Sequence, residues 1–416
     1  MMFTLCRYLR DKNIDCHLFV FKDEPSHFLP QADSFDESYK EFTTFLNHRK
    51  EDFFADDLKE TKAKLKEFDF FIGTDLAPAF LFACGIRLDV FIPHGSDIFK
   101  IPFEYLEKRP KVVNKFWWNT SLVYNSTLQW YGINNTNHVI IDDEYNRFNF
   151  KSRFSSTINY HSLTPPMLYA NQYENIPESA GQKLIFANKF IALRKNYDFI
   201  IFSQSRHFWH SEEWKKKGNG KGNDLLIKAF ARLVSNYPNH KFCMVLYEYG
   251  ADVQYSKQLI HDLNIDGSIQ WMPVSDRKEI MFGLKLADIA CGEFFRPWFF
   301  CGAVNEALCL NKPLIHYCYP ENEVNANAYP VLNSTNENHI FNHLSDFVKN
   351  PSDYKNIASN GNEWLIKHSV EPVIDLVIKL INENKKGKLN GNYTLQLSMV
   401  RFKIRVINFI SRVFKN

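Results

Sequence analysis

A chain of 416 residues is long for one domain and comfortable for two, and 45% hydrophobic with 23% charged residues is a globular composition rather than a disordered or fibrous one. The 38 phenylalanines supply a large core, and a net charge of +3 is too small to argue for nucleic acid unless it is clustered. The eight cysteines form no CxxC pair and no His/Cys metal spacing, so reduced, buried thiols in a cytosolic protein are the simplest account. The opening MMFTLCRYLRDKN lacks the apolar run of a signal peptide, and the longest weakly polar stretch, Leu76 to Ile86, is too short to span a bilayer.

In chain order, Met2 to Lys12 reads as a helix, Cys16 to Phe21 as a strand and Glu41 to Glu67 as a charged helix. Asp69 to Gly73 is a buried strand, and Leu76 to Cys84 a helix with Gly85 as its stop. Leu88 to Pro93 is a strand ending in His94-Gly95-Ser96-Asp97. Leu122 to Tyr124 and His138 to Ile141 read as two further short strands. The repeated strand, helix, strand order predicts a Rossmann-like first domain. Pro177 and Gly181 break the pattern between Asn171 and Lys195, which places the linker there.

The second half predicts strands at Asp198–Ser203, Lys241–Tyr247 and Ile269–Trp271, and helices at Asp224–Val234, Val253–Leu263 and Arg277–Leu286. Then comes the unit on which the rest turns, ADIACGEFFRPWFFCGAVNEALCLNKPLIHY. Asp288–Cys291 reads as a buried strand, Cys301-Gly302-Ala303 opens a helix carrying Glu306, and Pro313–Tyr317 is the next strand. The start of such a helix offers free N–H groups to an anion, beside which Glu306 could accept hydrogen bonds from a ribose. Equally, Glu306 could be a solvated or capping acid of an ordinary βαβ unit. Helices at Ile340–Val348 and Tyr354–Ile381 follow.

The segment Trp298 to Ile315, WFFCGAVNEALCLNKPLI, resembles the donor-site motif of family-4 retaining glycosyltransferases of the GT-B fold. That family shows a glutamate, seven residues, a second glutamate with alanine, then a Gly-Lys-Pro-Val-Ile-like strand entry. Glu306-Ala307 and Lys312-Pro313-Leu314-Ile315 match the second half. Trp298 stands in place of the first glutamate, which in the family contacts the donor sugar; Glu293, Arg296 or the Trp298 ring would supply that contact instead. A second likeness is Lys221-Gly222 ahead of Asp224-Leu225-Leu226-Ile227-Lys228-Ala229-Phe230, with Arg206 after the preceding strand. Lys215, Lys216 and Lys217 read as a solvated run.

The resemblance implies an α/β protein of two Rossmann-like domains facing across a cleft, residues 1–180 on the acceptor side and 181–385 binding the nucleotide sugar. It implies a hexosyltransferase-like enzyme that moves a sugar from a nucleotide-sugar donor to a glycan or lipid-linked saccharide, with retention, in bacterial-type surface polysaccharide synthesis. His94, Arg206 and Lys221 would serve catalysis. Glu306, Gly302, Ala303, Glu293, Trp298 and Gly222 would bind the donor, with no metal and no cofactor beyond the donor itself. His94 could instead bond its own loop, and Asp97 could be an N-cap. In the family a first strand and a glycine-rich loop precede the first helix; both are expected to be missing here. A non-catalytic GT-B partner subunit, or an epimerase or phosphorylase on the same fold, fits the same pattern.

Residues 386–416 remain. In MVRFKIRVINFISRVFKN, Met399, Phe402, Val406, Phe409, Ile410 and Val413 share one helical face, and Arg401, Arg405 and Arg412 another. Such a basic amphipathic helix suits an anionic lipid surface, through residues 394–416, and would place a cytoplasmic enzyme on the inner face of the membrane. The alternative is docking of the same stripe onto the first domain.

Overall fold

The computed structural model describes residues 1–50, 57–107, 120–143, 149–174, 176, 181, 183–216, 220–297, 301–318, 329–383, 395–402 and 406. The chain divides into two compact units that interleave in sequence. Unit 1 comprises residues 1–25, 40–166 and 371–416; unit 2 comprises residues 26–39 and 167–370. The expected division at 180 and 385 therefore shifts. Residues 167–180 join unit 2, residues 26–39 leave their sequence neighbours for unit 2, and the helix Glu371–Glu383 returns to unit 1. Its Val373, Ile374, Val377 and Leu380 are buried at helical spacing, which explains the return.

Unit 1 holds a four-stranded parallel sheet, ordered β3 (Ile72–Gly73), β4 (Val90–Phe91), β5 (His138–Ile141) and β6 (Asn159–Ser162). A separate parallel pair joins β1 (Leu18–Val20) to β2 (Thr43–Phe45). Two expectations fail here. Glu41 to Glu67 is not one helix: its β-branched and aromatic Thr43–Phe45 pair with β1, and among the described residues an α-helix follows at Lys59–Leu65. Leu122–Tyr124 is not a strand but lies in the helix Thr120–Asn134, whose Asn125, Ser126, Leu128, Gln129 and Ile133 turn inward at helical spacing. The strand β6 has no apolar alternation and was not legible.

Unit 2 is the more regular half. Six parallel strands run in the order β12-β11-β10-β7-β8-β9. They are β7 (Phe199–Phe202), β8 (Phe242–Tyr247), β9 (Ile269–Met272), β10 (Ile289–Cys291), β11 (Leu314–His316) and β12 (Leu332–Asn333). Both faces of β7, β8 and β10 are covered, so these strands read as continuous apolar runs, whereas the outer β9 carries Gln270 and β12 is only Leu332–Asn333, a strand that the sequence did not mark. Ile200, Phe202, Cys243, Val245 and Tyr247 pack on one side with Phe190, Met281, Leu284, Val304 and Leu308. Ile201, Phe242, Met244 and Leu246 pack on the other with Leu226, Phe230, Ile260, Ile340 and Leu344. This alternation along single strands is the period-two geometry of a pleated sheet.

Residues 395–402 are helical. Leu397 and Val400 are buried, and Asn135 donates to Gln396 at 3.4 Å. Leu395, Met399, Phe402 and Val406 stay exposed, at 62, 57, 69 and 39%. The docked face and the free stripe are therefore different faces of one helix. Arg405, Phe409, Ile410, Arg412 and Val413 lie outside the described residues.

Candidate functional site

In unit 2 the chain runs outward from β7 through β8 to β9, then crosses back to β10 on the other side of β7. The loops after β7 and β10 therefore part at the carboxyl edge, and open α/β sheets bind ligands at that kind of reversal. Here Ser205 Oγ donates to the Gly292 carbonyl at 3.1 Å and ties the two loops together. The polar groups of unit 2 described next lie along this edge or beneath it.

Glu306 sits in the helix Gly302–Cys309 and is only 5% exposed. Its Oε2 accepts from Gln204 Nε2 at 2.7 Å and its Oε1 from Arg277 Nε at 3.2 Å. Arg277 in turn donates Nη1 to the Met167 carbonyl at 2.8 Å and lies 3.9 Å from Asp33 Oδ1. Burial pulls the guanidinium toward neutrality, but Asp33, Glu306 and Tyr173 more than offset it and hold its pKa above the ordinary value. Glu306 is thus an oriented, ion-paired carboxylate and not a solvated acid. It caps nothing: the helix has Cys301 as N-cap and no side-chain capping bond, which leaves the N–H groups around Gly302 and Ala303 without a side-chain acceptor at that cap.

Lys221 and Glu293, expected to touch different parts of a donor, are joined instead. Lys221 Nζ lies 2.6 Å from Glu293 Oε2, with the side chains 15 and 11% exposed. The backbone holds both: Lys221 N–H donates to the Phe208 carbonyl, Phe294 N–H to the Lys221 carbonyl, and Glu293 N–H to Nδ1 of the buried His316 at 2.9 Å. Gly222 takes φ +72 as N-cap of the helix Asn223–Asn236, and a Cβ there would meet Phe294 Cβ at 3.0 Å. The Lys-Gly pair is thus a lysine followed by the one residue that permits this close turn.

Arg206 is exposed on the same edge. Its guanidinium lies 5.4 Å from the Phe208 ring and 5.8 Å from the Tyr249 ring, and it forms no carboxylate ion pair among the described residues. Arg296 is half-buried, whereas Trp298 lies outside the described residues. His94 belongs to unit 1, exposed past the end of β4. Its backbone N–H donates to Asp97, which is wholly buried and also accepts from the Asp75 N–H at 3.1 Å. Asp97 is therefore neither an N-cap nor an open acid.

The sequence reading missed Gln204, Arg277, Asp33 and His316. A polar residue directly past an apolar strand is the signal that marks Gln204; nothing in the pattern marks the others. Among the described residues no group of three or more His, Cys, Asp or Glu could hold a metal ion, and no helix is long and apolar enough to cross a membrane. A cavity of about 310 Å³ lined by Arg87, Asp89, Asn137 and His138 lies at the amino ends of the unit 1 strands, opposite that sheet's carboxyl edge.

The profile of the family described as Glycosyl transferases group 1 matches residues 217–364. No curated protein matches the sequence. HepE of Anabaena, solved with UDP and glucose, is similar at 13% identity and a TM-score of 0.54, over 92% of this chain and 95% of that one. WaaG, a glycosyltransferase involved in lipopolysaccharide biosynthesis, gives the same identity, TM-score and coverage. Sucrose-phosphate synthase of Thermosynechococcus elongatus follows at 12%, TM-score 0.52 and 91% of each chain. At such identities these structures establish the fold, and the profile supplies the activity. The chain is a glycosyltransferase of the GT-B fold whose residues 217–364 match the group 1 family.

Proposed function

We propose that unit 2 binds a nucleotide-sugar donor at the β7/β10 reversal, and that the sugar passes with retention to a hydroxyl of a glycan or lipid-linked saccharide in surface polysaccharide synthesis. The observation that carries this reading is the Glu306–Gln204 contact on the same sheet edge as Lys221 and Arg206, next to a helix start without a capping side chain. The C1–O bond to the diphosphate breaks, the acceptor oxygen bonds C1 and releases its proton, and the nucleoside diphosphate departs with added negative charge. Lys221, Arg206 and the N–H groups at Gly302 and Ala303 would meet that charge. Lys221 carries three N–H donors, so it can keep Glu293 and still reach a phosphate. Glu306 offers its remaining lone pairs to the ribose hydroxyls. Retention rests on the likeness of the Glu306–Ile315 segment to the retaining family.

UDP is the first probe to use, because HepE was solved with UDP and glucose. A thermal-shift series with UDP, GDP and CMP tests the reading, since a ligand that binds only the folded state raises Tm. Donor hydrolysis and product analysis then separate transfer from the partner-subunit and epimerase alternatives. Absence of any nucleotide shift would overturn the donor site.

The exposed stripe Leu395, Met399, Phe402 and Val406, with Arg401 exposed beside it, supports peripheral attachment to an anionic lipid surface. A lipid-linked acceptor would lie in that surface.

A further inference from the structure

Beneath the β7/β10 edge, Glu306 is braced by a chain of buried groups that no part of the donor motif contains. We infer that Arg277 and Asp33 are positioning residues for Glu306, and that residues 26–39 supply the outer half of the brace; this rests on the ribose reading of Glu306. Asp33 is 6% exposed, and Tyr173, wholly buried, donates its hydroxyl to Asp33 Oδ1 at 2.6 Å. Gln172 Nε2 donates to the Asp33 carbonyl at 3.0 Å, and Lys278 Nζ to the Gln31 carbonyl at 2.7 Å, so the segment around Asp33 is fixed on both sides. From there the order is Asp33, Arg277, Glu306, Gln204.

An ionised carboxylate has about four lone-pair sites. Gln204 takes one on Oε2 and Arg277 one on Oε1, which leaves acceptor capacity on each oxygen for two neighbouring hydroxyls. Without those two contacts, a glutamate has three free torsions and loses the orientation that makes a bidentate acceptor. Arg277 is shared between two carboxylates, Asp33 and Glu306, so it orients Glu306 without neutralising it one to one. Residues 26–39 lie in sequence between two stretches of unit 1 yet cluster with unit 2, and Asp33 is the side chain that gives this excursion a consequence at the site.

The test is discrimination for ribose, which a merely structural role would not move selectively. Of UDP, GDP and ADP, the diphosphate that raises wild-type Tm most is compared by calorimetry with its 2′,3′-dideoxy counterpart and with inorganic pyrophosphate. Wild type should prefer the ribonucleotide by roughly tenfold or more, the worth of one charge-assisted hydrogen bond. Glu306→Ala should abolish that preference. Arg277→Met should cut it by several-fold with pyrophosphate affinity unchanged, and Arg277→Lys should restore part of it. Asp33→Asn, which keeps the shape and removes only the anchoring charge, should act in the same direction and covers the case in which Arg277→Met does not fold. If Glu306→Ala abolishes the preference while Arg277→Met and Asp33→Asn keep it, or if these two lose pyrophosphate and nucleotide alike, the brace is wrong and the ribose reading stands. If Glu306→Ala keeps the preference, or wild type shows none, the ribose reading fails and the brace with it.

Discussion

Asp97 at the carboxyl edge of the unit 1 sheet and Glu306 at that of unit 2 are held in opposite ways. In unit 1 the Asp97 carboxylate, 0% exposed, is committed to the backbone N–H groups of His94 and Asp75. Gln129 closes the same knot, donating to the Asp75 and Asp97 carbonyls at 2.7 and 2.9 Å and accepting from Ala79 N–H at 3.2 Å. In unit 2 the charged groups meet each other, Lys221 with Glu293 and Arg277 with Glu306. A carboxylate that satisfies backbone donors cannot turn to a ligand without stranding them. A side-chain pair can share a partner with an incoming phosphate or hydroxyl. Asp97 therefore fixes loop shape, and the Lys221 and Glu306 pairs remain open to exchange.

The sharpest way to break this contrast is to exchange the expected phenotypes. Asp97→Ala strands the N–H groups of His94 and Asp75 and should cost about 3 kcal/mol of stability, since each buried unsatisfied donor costs roughly 1–3 kcal/mol. Urea unfolding measures that loss, and affinity for UDP should hold. A stable Asp97→Ala protein with impaired nucleotide binding would reverse the assignment.

Lys221→Ala should do the opposite, weakening UDP binding by about 1.5–3 kcal/mol, the range for hydrogen bonds to charged groups. Because it also strands Glu293, the double variant with Glu293→Gln should recover stability but not affinity. Arg206→Ala should weaken UDP less, since its guanidinium is exposed against rings. Calorimetry that finds unchanged UDP affinity in both single variants removes the diphosphate role.

Unit 2 also holds a group that, like Asp97, serves the fold. His207 is wholly buried, with Nδ1 bonded to Ser256 Oγ at 2.7 Å, and burial pushes its pKa down to about 4 against a slight opposing pull from Asp252. The folded state thus prefers the neutral ring, while the unfolded chain takes its proton near the ordinary value of 6.5. This contribution to stability is complete above that value and is lost as pH falls toward 4. His207→Asn should flatten the decline of Tm over that interval. An unchanged slope assigns the acid sensitivity to another group.

The smallest expected effect concerns the tail. Leu397 and Val400 belong to the core, so deletion of residues 394–416 removes packing together with any lipid contact. Phe402→Glu changes only the exposed stripe. It should release the protein from anionic vesicles with Tm unchanged, and binding by the wild type should weaken as salt rises, each basic residue contributing ~1 kcal/mol at most. Vesicle binding that survives both the substitution and high salt would exclude the stripe as the contact.

The sequence by itself determined β7 to β11 of unit 2, because strands covered on both faces are rich in continuous apolar runs and the helices between them keep a 3.6-residue stripe, whereas the two-residue β12 shows no pattern. His138–Ile141 and Arg277–Leu286 were legible to the residue. In unit 1 the apolar runs are short and the helix Thr120–Asn134 has no apolar stripe, so Leu122–Tyr124 took a strand's pattern inside a helix, and β6 showed none. Tertiary structure alone decided which charges meet. Lys221 and Glu293 are separated by more than seventy positions, and Asp33 reaches Arg277 from a segment that joins the other unit. Periodicity reports which face of an element is buried. Partners across a sheet edge depend on strand order, and strand order is set by how the whole sheet closes on its helices rather than by any local run of residues.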